Sequence, residues 1–264
     1  MSNARDVISV TILTKNSEKY LEDVLNSLRN FKEVVIYDTG STDSTLDIAK
    51  KYSNVKIFKD NFIGFGPTHN KASKAASNDW ILSIDSDEVV TPLMEKQIGQ
   101  LALDQHVVYS FPRDNYFNRK WIKWCGWYPD RQFRLYHRKF THFSDAQVHE
   151  AIIIKDMKHI PLKGSITHYS YDTISDFLIK MQSYSDLFAR QNVGKKASSP
   201  FKAITHGFFA FFKSYILKSG FLGGYEGFVI SAYNGHTAFY KYLKLYEANQ
   251  KLTKGNKLIA KKKF

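Results

Sequence analysis

At 264 residues the chain is long enough for one large α/β domain with an appendage and an ample core. Its net charge is +13, and its single cysteine, Cys125, excludes an internal disulfide and suits a reducing compartment. No apolar stretch reaches the length of a membrane span and the N-terminus lacks a signal-peptide core, so a cytoplasmic protein, soluble or peripherally bound, is expected.

Residues 7–13 read as a first strand, and Leu21, Val24, Leu25 and Leu28 fall on one helical face behind it. A second strand, Val34-Val35-Ile36-Tyr37, ends at Asp38. It opens into Thr39-Gly40-Ser41-Thr42-Asp43-Ser44, a small-residue loop that also supplies helix caps. A helix with Leu46, Ile48 and Ala49 follows, then a strand with Val55, Ile57 and Phe58, then Gly64-Phe65-Gly66 and another helix. Trp80-Ile81-Leu82-Ser83-Ile84, bounded by Ser77-Asn78-Asp79, reads as a buried strand. Strand and helix alternate, which predicts a parallel sheet with helices on both faces.

Asp85-Ser86-Asp87 closes that strand, where open α/β sheets bind ligands. Alternation points both carboxylates the same way, so they can share one divalent cation or divide cation and sugar hydroxyls between them. Asp and Ser also favour plain strand-end turns, and the tripeptide alone reads equally well as one. Asp38 falls at a neighbouring carboxyl end, as a nucleotide crevice requires.

Further on, Trp121, Trp124, Trp127 and Tyr128 cluster with Lys120 and Lys123; such rings either line a sugar cleft or pack a core. Arg131 and Arg134 offer bidentate groups for a phosphate, of donor or of acceptor. Gly194 to Pro200 reads as a hinge. Residues 1–194 are therefore expected as one domain, in halves 1–112 and 113–194. Residues 195–264 form a helical extension with 13 Lys against Glu226 and Glu247, a local balance of +11.

Two striped helices are expected in that extension. One carries Phe201, Ile204, Phe208, Phe211, Phe212 and Tyr215; the other carries Phe228, Val229, Ala232, Tyr233, His236, Phe239, Tyr240 and Leu243. With Lys213, Lys218, Lys241 and Lys244 at their rims they fit an anionic bilayer surface. The alternative is packing on the catalytic domain or on a second subunit as a homodimer. Nucleic acid is disfavoured, because the aromatics follow helical core spacing rather than standing as isolated stacking platforms.

Thr14-Lys15-Asn16, Asp38-Thr39-Gly40-Ser41-Thr42-Asp43 and Trp80-Ile81-Leu82-Ser83-Ile84-Asp85-Ser86-Asp87-Glu88 together resemble family 2 glycosyltransferases of the GT-A fold. Arg131-Gln132-Phe133-Arg134-Leu135-Tyr136, Val148-His149-Glu150 and Ile166-Thr167-His168-Tyr169 resemble a narrower branch, the lipopolysaccharide-core β-glucosyltransferases. The likeness runs over about residues 6–245. One departure is Ser17, where many relatives carry an acidic residue; here Glu18 stands one step later.

The resemblance implies a Rossmann-like mixed sheet and an inverting, metal-dependent transfer of a hexose, glucose by preference, with 1–194 the catalytic domain, 1–112 its donor-binding half and 113–194 its acceptor-side half. The donor would be a UDP-sugar, with Mg²⁺ or Mn²⁺, and the acceptor a lipid-linked saccharide at the inner face of the cytoplasmic membrane. Asp87 is the expected metal ligand, with His168 completing the shell. Asp85 and Ser86 would meet ribose or sugar hydroxyls, and Asp38 the nucleobase, with Thr14 lining its pocket. Lys71 would reach the nucleotide phosphates, or is a solvated surface lysine. The base that takes the acceptor proton is Glu150, His149 or Asp130. Trp127 is the ring assigned to the acceptor side. The rival readings are an enzyme of this fold acting on capsule, O-antigen lipid or protein, and a basic, non-enzymatic membrane- or nucleic-acid-binding protein.

Overall fold

The computed structural model describes residues 3–146 and 150–261, with side chains through residue 253. The chain divides into two compact units, Met1–Asp114 with Pro129–Tyr169, and Asn115–Tyr128 with Ser170–Phe264.

The first unit is built on β1 (Ile8–Thr14), whose Ile8, Val10 and Ile12 are fully buried. It pairs in parallel with β2 (Glu33–Asp38) on one side and β4 (Trp80–Asp85) on the other. β3 (Val55–Lys59) adds a parallel edge beyond β2. Continuous apolar runs are what parallel strands covered on both faces require. The cover includes α1 (Glu18–Ser27), which buries Leu21, Val24 and Leu25, the short α2 (Thr45–Ala49), and α3 (Phe65–Ala75). Gly66 sits against the backbone of Ser144: a Cβ there would lie 1.8 Å from the Ser144 carbonyl oxygen, so only glycine lets α3 start where it does.

Beyond β4 the sheet turns mixed. β5 (Glu88–Val90) follows a tight turn, and α4 (Pro92–Gly99) begins with proline behind a Thr91 side-chain cap. Then come β6 (Val107–Phe117), β7 (Lys120–Trp121), β8 (Arg131–His137), β9 (Lys158–Pro161) and β10 (Ile166–Tyr171). The strand order is β3-β2-β1-β4-β8-β6-β10-β5, and β8 runs antiparallel to β4. The expected α/β fold, a Rossmann-like parallel half continued as a mixed sheet with a helical C-terminal extension, is the fold observed.

In the second unit, α5 (Ile174–Asn192) starts on a capping box of Thr173 and Asp176. α6 (Pro200–Phe212), a π-helical turn (Lys213–Leu217) and a 3₁₀ turn (Gly220–Gly223) lead into α7 (Gly224–Lys261). One core joins Phe117, Ile122 and Cys125 to Phe177 of α5 and Ile230 of α7, with Trp124, Trp127, Tyr171 and Tyr233 packed on it. This moves the expected boundary. Residues 115–128 and α5 go with the C-terminal helices, because Phe177 and Cys125 share buried surface with α7; the position near Gly194 is a joint within the unit, not its edge.

Of the stripe expected on α7, Phe228, His236 and Tyr240 are exposed and Val229 and Tyr233 pack on the core, while the fully buried positions are Gly227, Ile230, Ser231, Gly235 and Leu245. Small residues make this seam. The Ser231 hydroxyl donates to the Ser214 hydroxyl at 3.0 Å, and a Cβ on Gly235 would stand 3.1 Å from the Gly207 carbonyl oxygen.

Candidate active site

Strand register sets the site. Thr14 lies opposite Asp38, and Leu13 opposite Asp85, so the ends of β2, β1 and β4 stand side by side. Thr14 donates to Asp38 Oδ1 at 3.1 Å, and the hydroxyl of Ser41 donates to the same oxygen. The backbone N–H groups of Gly40 and Ser41 donate to Oδ2 at 3.1 and 3.0 Å. Burial pushes this carboxyl up, but the four donors outweigh it and hold it below the usual range. They also occupy the roughly four acceptor sites a carboxylate has. Asp38 therefore shapes the 39–44 loop, which engages both its oxygens.

Glu18 accepts from the backbone N–H of Ser44 at 3.0 Å, and Asp43 accepts from that of Glu18 at 3.1 Å, so the two acids tie the first loop to the second. Asn16, in the left-handed region at φ 54°, accepts from the Thr42 N–H at 2.8 Å.

At the end of β4, Asp85 is half-buried and accepts from Arg134 Nη2 at 2.7 Å. The same nitrogen donates to Glu88 Oε1 at 2.7 Å, and Arg113 reaches that oxygen at 3.3 Å. Glu88 is fully buried, and its other oxygen accepts from the Asp85 backbone N–H at 3.0 Å. Burial pushes the Asp85 carboxyl up; the charges of Arg134 and then His69 reverse this and hold it well below the carboxylate range. Glu88 is raised, chiefly by burial, with Arg134 opposing and Asp85 adding to it. Arg134, expected to clamp a phosphate, is instead buried beneath the strand end, and its charge keeps Asp85 ionised.

Asp87 follows the half-buried Ser86, and its Oδ2 lies 3.4 Å from His168 Nε2. The backbone of β10 is tied to this turn, since Tyr169 N–H donates to the Asp87 carbonyl at 3.1 Å. Carboxylate oxygen and imidazole nitrogen form a mixed donor pair that suits Mn²⁺. Among the described residues no group of three or more His, Cys, Asp or Glu is arranged to hold a metal.

His69 of α3 escaped the sequence reading. It is buried, stacks on Phe143 at 4.4 Å, and places Nε2 3.9 Å from Glu150 Oε1. Burial lowers its pKa to about 4, Asp85 opposing and Arg134 assisting, so its ring is neutral near pH 7. The available signal was its helical position: His69, Ala72 and Ser73 lie on the buried face of α3.

The remaining expected residues have the following partners, and Asp130 joins the group through Arg113. Lys71 pairs with Asp60 at 2.6 Å, and with Tyr37 it holds that carboxyl at about 2. Arg131 donates to the carbonyls of Ser110 and Leu162 at 3.1 and 3.0 Å, a backbone clamp with no phosphate contact required. Asp130 is bound by Arg113 and by Gln132 at 2.6 Å. Trp127 packs beside Tyr171 and Phe177 in the second unit's core. His149 lies outside the described residues.

Paired loops at parallel strand ends, with an acidic turn after β4, are the features a glycosyl-transferring nucleotide site needs. Residues 9–159 match the family model "Glycosyl transferase family 2". The chain belongs to this family. An uncharacterized glycosyltransferase of Rickettsia typhi is 30% identical over 92% of this chain and 88% of that one. The lipopolysaccharide core biosynthesis glycosyltransferase LpsC of Rhizobium meliloti is 26% identical over 91% and 92%. Among solved structures, S. aureus TarS 1–349 in complex with UDP is 18% identical, covers 94% of this chain and 91% of that one, and has a TM-score of 0.44. As a family 2 member the chain is a glycosyltransferase, and the carboxyl-end group of Thr14, Asp38, Asp85 and Asp87 is its candidate active site.

Proposed function

We propose that this glycosyltransferase moves a hexose, glucose by preference, from a UDP-sugar to a lipid-linked saccharide such as a lipopolysaccharide inner core, with inversion. The observation that carries the donor half is the approach of Asp87 to His168 within 3.4 Å beside an Asp85 that Arg134 keeps ionised. The acceptor class rests on the sequence resemblance and on the similarity to LpsC. Such an acceptor is embedded in a bilayer, so the enzyme would work peripherally on the inner face of the cytoplasmic membrane.

Asp87 and His168 would hold Mg²⁺ or Mn²⁺, which supplies positive charge for the departing diphosphate. Asp85 and Ser86 would meet sugar or ribose hydroxyls. In the transfer the acceptor oxygen bonds to the anomeric carbon from the face opposite the nucleotide. The bond from that carbon to the diphosphate oxygen breaks, and its electron pair leaves with UDP. Glu150 takes the acceptor's proton. The neutral His69 beside it places no competing positive charge at that carboxylate.

Turnover of UDP-glucose, as slow hydrolysis without acceptor and as transfer with lipid-linked core saccharide, tests this reading. Asp87→Ala should lower both by ~10²–10³. Glu150→Gln should keep UDP binding yet lose transfer by ~10²–10⁴. Near-normal turnover by Asp87→Ala would refute the proposed donor site.

A further inference from the structure

α6 is inverted relative to the helices of a water-soluble core. Ala203, Gly207 and Ser214 are buried against α7, while Phe201, Ile204, Phe208 and Phe209 stand 75%, 58%, 72% and 57% exposed. A soluble helix turns its large apolar side chains inward and its polar ones outward. Here the buried positions are small residues, with His206 and Phe211 packing beside them on Tyr242 and Phe228, and small residues at the closest approach are the pattern of helix pairs that sit in lipid. The exposed surface continues past α6: Leu217 and Leu222 are 60% and 59% exposed. Monomeric proteins seldom leave so many neighbouring large apolar groups in water without a partner for them.

Charge selects the partner. Residues 200–225 contain Lys202, Lys213, Lys218 and His206 and no acidic residue. Lys213 and Lys218 are exposed among the apolar side chains. A second copy of the same face would set these lysines against one another, whereas an anionic lipid surface neutralises them. At 13 residues α6 is too short to cross a bilayer, and no described helix is long and apolar enough to do so.

We infer that the outer face of α6, with the turn that follows it, is a membrane-insertion surface: Phe201, Ile204, Phe208, Phe209, Leu217 and Leu222 enter the headgroup–acyl boundary of an anionic bilayer and the lysines engage its phosphates. The inference rests on the peripheral-membrane part of the proposed function and gives that part its surface. It also divides the C-terminal helices by task. α7 supplies the seam and α6 meets lipid.

The full-length protein is mixed with vesicles of phosphatidylcholine alone or of phosphatidylcholine with phosphatidylglycerol, and co-sedimentation is measured across a salt series. Binding to the anionic vesicles that weakens with salt is expected. Phe208→Ser/Phe209→Ser should bind at least about tenfold more weakly, since each ring contributes burial free energy. Lys213→Glu/Lys218→Glu should bind more weakly and lose most of the salt dependence. UDP-glucose hydrolysis without vesicles reports on fold and donor site in every variant, and should be unchanged. Failure of the intact protein to bind anionic vesicles, or equal binding by the serine pair, overturns the inference while leaving the donor reading intact. Sedimentation velocity that finds a dimer abolished by the same serine pair, without vesicle binding, assigns the face to self-association and also overturns it.

Discussion

His69 carries a ring that folding keeps out of water, and its acid sensitivity has a definite sign. Burial lowers its pKa from 6.5 to about 4. The unfolded chain therefore binds a proton there that the folded chain does not. The stabilisation is present in full above pH 6.5 and is lost as pH falls towards 4, a span worth roughly 3 kcal/mol. Urea titrations between pH 7 and 4 should show this loss, and His69→Gln should flatten the slope over that window; an equal slope in the variant would contradict the assignment. At this scale the site was partly legible. Asp38, Asp85 and Asp87 were found because they end apolar runs. Their partners were not, because Arg134, Glu88 and Arg113 come from different strands, and no local spacing shows that one guanidinium lies between two carboxylates. The saturation of Asp38 by its own loop was equally invisible, since it depends on where the Gly40 and Ser41 N–H groups point.

Parallel strands were the easiest elements to read, because Val34-Val35-Ile36-Tyr37 and Trp80-Ile81-Leu82-Ser83-Ile84 are buried on both faces and leave continuous apolar runs. The C-terminal helices were the hardest. Periodicity assigns the inward face to large apolar residues, and on these helices Ile230 and Leu245 share it with Ala203, Gly207, Ser214, Gly227, Ser231 and Gly235. Close approach is the reason. A Cβ on Gly227 would lie 1.9 Å from the Gly220 carbonyl oxygen, so Gly227→Ala must displace the turn before α7. Overpacking of this kind costs typically 1–3 kcal/mol, and the melting temperature should fall by several degrees. Phe201→Ser, on the exposed face, should change stability by less than about 0.5 kcal/mol. An unaltered melting temperature in Gly227→Ala would show that the seam is looser than described.

For the whole molecule, the uneven charge is the feature most visible from the sequence: residues 195–264 carry +11 of the +13 total. The unit boundary was hidden, because the second unit is assembled from 115–128 and 170–264, and no linker composition marks a core built from separated segments. Family membership accounts for the fold and the glycosyl transfer; the proposed donor and metal rest on the group at the ends of β1, β2 and β4 and on His168 of β10. Calorimetric titration of the intact protein with UDP, GDP and ADP, each with and without Mn²⁺, addresses that group directly. UDP should bind most tightly and only weakly without metal, because in the proposed site the cation would offset the charge of the diphosphate. Nucleotide binding that is absent, or indifferent to Mn²⁺, would contradict the proposed metal-assisted nucleotide-sugar site.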